Sequence, residues 1–220
     1  MTVSQIVRDE IDKTIEKLNS KKFDPDPIAG AMFSKITSVM SSAYKRHGYI
    51  LEHTILHSIM ARPEFDAWED KDFKVSAAAD GVATDFMKDP AQAITSNLPY
   101  DLDGKRHLQI DMAAYNKNTK HLSLYEIKRG SGLHDAGKKR QILRDLLCME
   151  LLVKSYGESK NFEVESSRAH IIFYYGKCSI KPPYSLTADD MLQHFGYDLK
   201  SEVEAANEYF KVRLFDLLTV

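Results

Sequence analysis

Residues 108–130, LQIDMAAYNKNTKHLSLYEIKRG, constrain the fold of this chain more than any other stretch. Side chains alternate in character over 108–115 and again over 121–129, as the period of two in a pleated strand requires. The residues between them, 116–120, are polar and typical of turns. The stretch therefore predicts two antiparallel strands joined by a short loop.

The register of this hairpin follows from centring the loop between residues 118 and 119. Paired positions then sum to 237, which places Asp111 opposite Glu126, Ala113 opposite Leu124, Tyr115 opposite Leu122 and Gln109 opposite Lys128. Opposite Cβ atoms lie about 4.5–5.5 Å apart, close enough for two carboxylates to share one hard cation such as Mg²⁺. The register therefore predicts a metal site at Asp111 and Glu126, with Lys128 on the same side.

A second interpretation of the hairpin requires no metal. Two acids across neighbouring strands repel each other, and Lys128 alone offsets part of that repulsion. A half-exposed hairpin with Asp, Glu and Lys on its polar face would show the same sequence pattern. The sequence of the hairpin alone leaves both interpretations open.

The composition indicates one domain around one core, because 220 residues with 43% hydrophobic content suffice for a sizeable interior. No apolar run approaches the ~20 residues of a membrane span, and the N-terminus lacks the apolar core of a signal peptide. We therefore expect a cytoplasmic protein that does not use a membrane. The expected division is N-terminal helices over 1–62, a catalytic sheet core over 63–176 and C-terminal helices over 177–220.

Several elements can be placed more closely. Apolar spacing predicts a helix over 4–18 and a second over about 29–60, interrupted near Gly48. Asp80-Gly81 is typical of a turn, a helix is expected from about Asp135 to Tyr156 with Gly157 closing it, and 169–175 resembles a buried strand parallel to the preceding one. Capping boxes are predicted at Thr187 with Asp190 and at Ser201 with Glu204.

The charge is unevenly distributed. The net charge is −2, but residues 101–160 hold 12 Lys or Arg against 8 Asp or Glu. Lys128-Arg129 and Lys138-Lys139-Arg140 bracket the loop 130–137, which predicts a surface for phosphates. The alternative is a solvated face without a ligand.

The order of these features resembles the PD-(D/E)XK nuclease superfamily, the restriction-endonuclease-like fold, over roughly residues 48–175. The matching features are a helix with Glu52, a strand with Asp111, a strand with Glu126-x-Lys128, a basic crossover helix and a further strand. The chain departs from the named motif at Ile110, which stands where the motif has Pro.

The resemblance implies an α/β (mixed α+β) fold with a central mixed sheet flanked by helices, plus helical additions at both ends. It implies that Asp111, Glu126 and Glu52 hold Mg²⁺, or Mn²⁺ in its place, and that Lys128 acts on the scissile phosphate or the attacking water. Gln141 falls where some branches place a helical Gln near the site. Arg129, Lys138, Lys139, Arg140 and Gln141 are the expected nucleic-acid-binding residues.

The resemblance further implies a Mg²⁺-dependent DNA endonuclease, most similar to type II restriction enzymes or other defence nucleases, that works as a homodimer. Two alternatives stay open: a repair or junction-resolving nuclease of the same fold, and a non-catalytic DNA-binding or scaffold protein. For Glu52 the alternative is an exposed helix acid without a role.

Overall fold

The computed structural model describes residues 3–20, 24–28 and 30–219. It is a mixed α/β structure with a five-stranded mixed sheet flanked by helices. The α-helices of the described chain are α1 Gln5–Asn19, α2 Gly30–Met60, α3 Ala77–Phe86, α4 Ala136–Ser159, α5 Met191–Phe195 and α6 Leu199–Thr219. The strands are β1 Phe65–Val75, β2 Arg106–Asn116, β3 His121–Lys128, β4 Ser166–Phe173 and β5 Ser185–Leu186, with 3₁₀ helices at Pro90–Thr95 and Ala188–Asp190.

The chain packs as two compact units. A helical unit comprises 1–57 and 192–220, and a sheet unit comprises 58–191. The predicted sheet core, 63–176, lies inside the sheet unit, which also includes β5. The expectation of a single domain over 1–220 stays a prediction. None of the helices in the described part of the chain is long and apolar enough to span a membrane.

The helical unit is built on the apolar faces of α1, α2 and α6. Ser4 caps α1 by accepting a hydrogen bond from the Val7 N–H at 3.4 Å, and the helix predicted over 4–18 is confirmed. The core of the unit combines Val7, Ile11, Ile15 and Leu18 of α1 with Val39, Ala43 and Ile50 of α2 and with Ala206, Phe210 and Leu214 of α6.

The interruption predicted near Gly48 is wrong, because α2 continues through that residue. A glycine inside a helix costs about 1 kcal/mol relative to alanine. Burial of Ile50, Leu51 and Ile55 on the following turns offsets that cost, since each large aliphatic side chain contributes about 1.5–3 kcal/mol. The predicted start at Ala29 lies outside the described residues.

The sheet has the strand order β1-β2-β3-β4-β5. β1, β2 and β3 form an antiparallel meander, whereas β3 with β4 and β4 with β5 are parallel. The predicted parallel pairing of the strand after the crossover helix is therefore confirmed. α4 makes that crossover and packs on one face of the sheet, where Leu147, Leu151 and Val153 are fully buried with Leu124 and Ile171.

Of three local predictions, the structure confirms one and contradicts two. Asp80-Gly81 lies inside α3 rather than in a turn, because Ser76 caps that helix through the Ala79 N–H (3.2 Å). The capping box of Thr187 with Asp190 is confirmed. The second predicted box is wrong: α6 starts at Leu199, and the Asp198 carboxylate accepts from both the N–H (3.1 Å) and the hydroxyl (2.6 Å) of Ser201.

Gly157 does not end α4, which continues to Ser159. A Cβ at Gly157 would lie 2.5 Å from Leu122 Cδ2 and 2.7 Å from Val164 Cγ2. The residue is therefore a glycine because α4 approaches β3 closely at this point, and not because the chain must turn there.

Gly157→Ala is expected to lower the free energy of unfolding by about 1–3 kcal/mol, the usual cost of forcing extra atoms into a packed core. Gly81→Ala is the matched control, since Gly81 also lies inside a helix but has nothing within 4 Å of the position of a new Cβ. The control is expected to gain about 0.5–1 kcal/mol from its higher helix propensity. Urea unfolding measures both, and a stabilised Gly157→Ala variant would contradict the close packing of α4 on β3.

Candidate active site

The hairpin of β2 and β3 has the predicted register. Met112 pairs with Tyr125, Ala113 with Leu124 and Tyr115 with Leu122, so paired positions sum to 237. The loop is held by the Asn116 side chain, whose Oδ1 accepts from the N–H groups of Asn118 (3.0 Å) and Thr119 (3.1 Å). Its left-handed residue is Lys120, with φ 51°.

The backbone ladder between β2 and β3 ends one pair before Asp111 and Glu126. At that point the Ile127 N–H donates to Asp111 Oδ2 at 2.7 Å, so a carboxylate takes the place of a backbone acceptor. On its other side β3 stays paired with β4, with Glu126 opposite Ile171 and Lys128 opposite Phe173. One edge of β3 is therefore released at the point where its charged residues begin, while the other edge holds the strand in place.

The strict alternation predicted over 108–115 is interrupted in β2. Ile110 belongs to the same buried core cluster as Ala113, although they are three positions apart in the chain, so these two do not follow a period of two. The pairing of β1 with β2 shifts register on both sides of Asp70, whose partner is Ile110. Asp111 thus lies in an irregular stretch of β2. There its side chain, and not a backbone carbonyl of β2, accepts the hydrogen bond from the β3 backbone.

Three charged side chains meet at the released edge. Lys128 Nζ forms an ion pair with Glu126 Oε1 and lies 4.0 Å from Asp111 Oδ2. The Asp111 side chain is 7% exposed, whereas those of Glu126 and Lys128 are 27% and 32% exposed. The three residues that the sequence assigned to the hairpin site therefore lie together, with one acid fixed inside and two groups open to solvent.

This donor set fits a divalent cation that keeps most of its waters. A cationic ammonium group already lies against both carboxylates, so the site accommodates positive charge. In the described part of the chain no group of three or more His, Cys, Asp or Glu side chains is arranged to hold a metal. Mg²⁺ is commonly held by one or two carboxylates together with substrate phosphates and water, which is what Asp111 and Glu126 can supply.

Glu52, the predicted helical ligand, lies in α2 within the helical unit. Its side chain comes within 4.0 Å of the position that a Cβ on Gly48 would take, one turn earlier. Its role as a third metal ligand stays a prediction.

The predicted phosphate-binding residues lie after β3 and in the first turns of α4. Arg129 places its guanidinium 5.9 Å from the ring centre of Tyr175. Asp135 caps α4 through the Lys138 N–H (2.9 Å), and Lys138, Lys139 and Arg140 are exposed. The part of all four cations in binding nucleic acid stays a prediction.

Gln141 does not reach the hairpin acids. Among the described residues its Nε2 donates to both carboxylate oxygens of Asp145, at 2.9 and 3.0 Å. Asp145 also accepts from Arg106 (2.5 Å), and the same guanidinium contacts Asp80 Oδ1 at 2.7 Å and Cys148 Sγ at 3.1 Å. This network ties β2 to α3 and α4, and no motif in the sequence pointed to it because its members lie far apart in the chain.

The thiol of this network is not a candidate nucleophile. Burial raises the pKa of Cys148 to about 12, although the nearby Arg106 charge opposes that rise. The thiol is therefore protonated at neutral pH, and a thiol is a weak nucleophile compared with a thiolate.

Gly130 ends the strand segment that carries the charged residues. Its φ is +64°, and a Cβ there would lie 2.8–2.9 Å from Phe173, including the Phe173 backbone. Only glycine combines this left-handed backbone with so close an approach. The chain leaves β3 directly after Lys128-Arg129 as a result, so these two side chains stand at the end of the sheet.

Comparisons with protein families, with curated proteins and with solved structures found no match for this chain. The interpretation of the site rests on its own geometry.

Binding of Mg²⁺ at the hairpin is expected to raise the melting temperature of the wild-type protein by about 3 °C at a concentration near ten times the dissociation constant. Asp111→Asn and Glu126→Gln should each remove most of this shift because each deletes an anionic ligand. Differential scanning calorimetry with and without Mg²⁺, at equal ionic strength, measures it.

The control for this shift is Asp103→Asn, which removes an exposed acid elsewhere in the sheet unit. It should keep the wild-type response. An unchanged response in both hairpin variants would place the metal somewhere other than Asp111 and Glu126.

Proposed function

We propose that this protein is a Mg²⁺-dependent DNA endonuclease that hydrolyses phosphodiester bonds, with a restriction or defence role. The observation that carries the proposal is the convergence of Asp111, Glu126 and Lys128 at the released edge of β3. Two carboxylates and an ammonium group in one partly open site match the chemistry of cleaving an anionic ester. The arrangement of a meander, a crossover helix and a parallel strand supports the same assignment.

Each residue has a distinct task in this proposal. Asp111 is a fixed ligand, since the Ile127 N–H holds its carboxylate in one orientation. Glu126 is the more exposed acid and closes the metal shell from the neighbouring strand. A divalent ion bound there would polarise a phosphate oxygen, orient the attacking water and offset negative charge in the transition state.

Lys128 supplies positive charge where the transition state gathers negative charge. Its side chain is 32% exposed and its ammonium group lies beside both acids, so a phosphate that enters the site meets it. An ion pair with Glu126 keeps the lysine in place before substrate arrives. Preorganised charge of this kind commonly lowers the barrier by about 3–4 kcal/mol per group.

DNA as the substrate, rather than another phosphodiester, is supported by the exposed cations Lys138, Lys139 and Arg140 and by Arg129. Contacts to phosphates supply most of the sequence-independent affinity for a duplex. The described residues provide one site of this kind, and cleavage of both strands calls for two such sites, so we propose a homodimer.

Asp111→Asn, Glu126→Gln and Lys128→Ala are each expected to slow Mg²⁺-dependent cleavage of supercoiled plasmid by at least about 100-fold, since each removes a ligand or a transition-state charge. The conversion of supercoiled to nicked and linear DNA, followed on agarose gels with Mg²⁺ or with EDTA, measures this rate. Circular dichroism melts verify that each variant is folded.

Asp103→Asn and Lys105→Ala are the matched controls, because both remove exposed charges of the same unit. They should cleave at the wild-type rate. Cleavage that survives all three hairpin substitutions would locate the chemistry elsewhere, and DNA binding without cleavage at any metal concentration would favour a non-catalytic DNA-binding protein.

A further inference from the structure

A groove of about 420 Å³ runs between α1 and α2 in the helical unit. Four of its lining side chains are cations, and they come from both helices. The lining residues are Glu10, Lys13, Thr14 and Lys17 of α1 and Lys45, Arg46 and Tyr49 of α2. None of these residues belongs to the site described above.

The cations of the groove form no ion pair within the described part of the chain. No carboxylate of that part lies within 4.0 Å of the charged nitrogens of Lys13, Lys17, Lys45 or Arg46. The acid among the lining residues, Glu10, lies 3.0 Å from His53 Nδ1. A concentration of positive charge without carboxylate partners, in a chain of net charge −2, points to an anionic ligand.

Two neighbouring acids of α1, Asp9 and Asp12, contact other partners. Asp12 accepts from the Tyr209 hydroxyl (3.0 and 3.1 Å) and from Arg213 Nε (2.9 Å). Asp9 accepts from the Gln5 amide at 2.7 Å. Asp9 and Asp12 are therefore engaged by residues that do not line the groove, whereas Glu10 lines it and Glu16 is exposed on the same helix.

The spacing of the cations suits a line of phosphates. Lys13 and Lys17 are four residues apart in a helix, or about 6 Å along its axis. One strand of duplex DNA carries a phosphate about every 3.4 Å along the duplex axis, so this pair spans about two phosphates. Lys45 and Arg46 supply positive charge from the facing helix, so a strand of phosphates in the groove would be contacted from two sides.

We propose that the groove between α1 and α2 binds the phosphodiester backbone of DNA. The choice of DNA among polyanions rests on the proposed function. A groove with cations on both walls fits a single phosphodiester strand of the duplex better than it fits the plane of an anionic membrane. Such contacts add affinity and fix the position of the duplex without reading its sequence.

The experiment measures binding of a fluorescently labelled duplex of about 30 base pairs by anisotropy in EDTA, over a series of salt concentrations. Removing one cation that binds a phosphate reduces the slope of log K against log salt by about 0.9. Lys13→Ala/Lys17→Ala and Lys45→Ala/Arg46→Ala are therefore each expected to reduce the slope by about 2. Both should weaken binding at least tenfold near 0.1 M salt.

The control is Lys88→Ala/Lys105→Ala, which removes the same formal charge from exposed positions of the sheet unit. It should bind with nearly the wild-type slope. Groove variants that bind like the wild type, groove variants that weaken no more than the control, or a wild-type protein that binds no duplex would each overturn the proposal. So would selective loss of binding to phosphatidylserine vesicles, which would identify a lipid surface as the ligand.

Metal is absent from this assay, so cleavage does not enter it. Failure of the groove proposal and failure of the nuclease proposal are thus read from separate measurements.

Discussion

The candidate site depends on one hydrogen bond, the one that the Ile127 N–H donates to the Asp111 carboxylate. A backbone donor inside a sheet needs an acceptor, and the usual acceptor is a carbonyl of the next strand. Here a side chain replaces it. On the N-terminal side of Met112, β2 is not paired with β3, while β4 stays paired with the other edge of β3. This hydrogen bond replaces the backbone pairing of β2 with β3 at this point, and it holds the Asp111 carboxylate in place.

The hairpin could be predicted from the sequence because its determinants are local. Alternation and a polar loop fix the register, and a register fixes which residues are neighbours. The crossover helix and its parallel strand were predictable for a similar reason. A strand buried on both faces is a nearly continuous apolar run, and such a run can be recognised in the sequence. The sequence pattern alone therefore suffices to place Asp111, Glu126 and Lys128 together.

What the sequence did not indicate depends on packing between distant residues. Gly157 looks like a helix end in the sequence, yet a glycine stands there because any Cβ would lie too close to Leu122. Gln141 looks available for the site, yet it is held by Asp145, which Arg106 positions from β2. The break in alternation at Ile110 follows from the pairing of β2 with β1, a strand whose extent the sequence barely signalled. Propensity and periodicity carry no information on such contacts.

The short loop between β2 and β3, residues 117–120, has a consequence for the order of folding. Residues joined by a short loop meet within microseconds, whereas the parallel pairing of β3 with β4 must wait for α4 to be placed between them. Asp111 and Glu126 therefore approach each other early, while β3 still lacks its second neighbour. Lys128 is on the same short strand and arrives with them. Its ammonium group limits the repulsion between the two acids in the nascent hairpin, a contribution that does not depend on any ligand of the folded site.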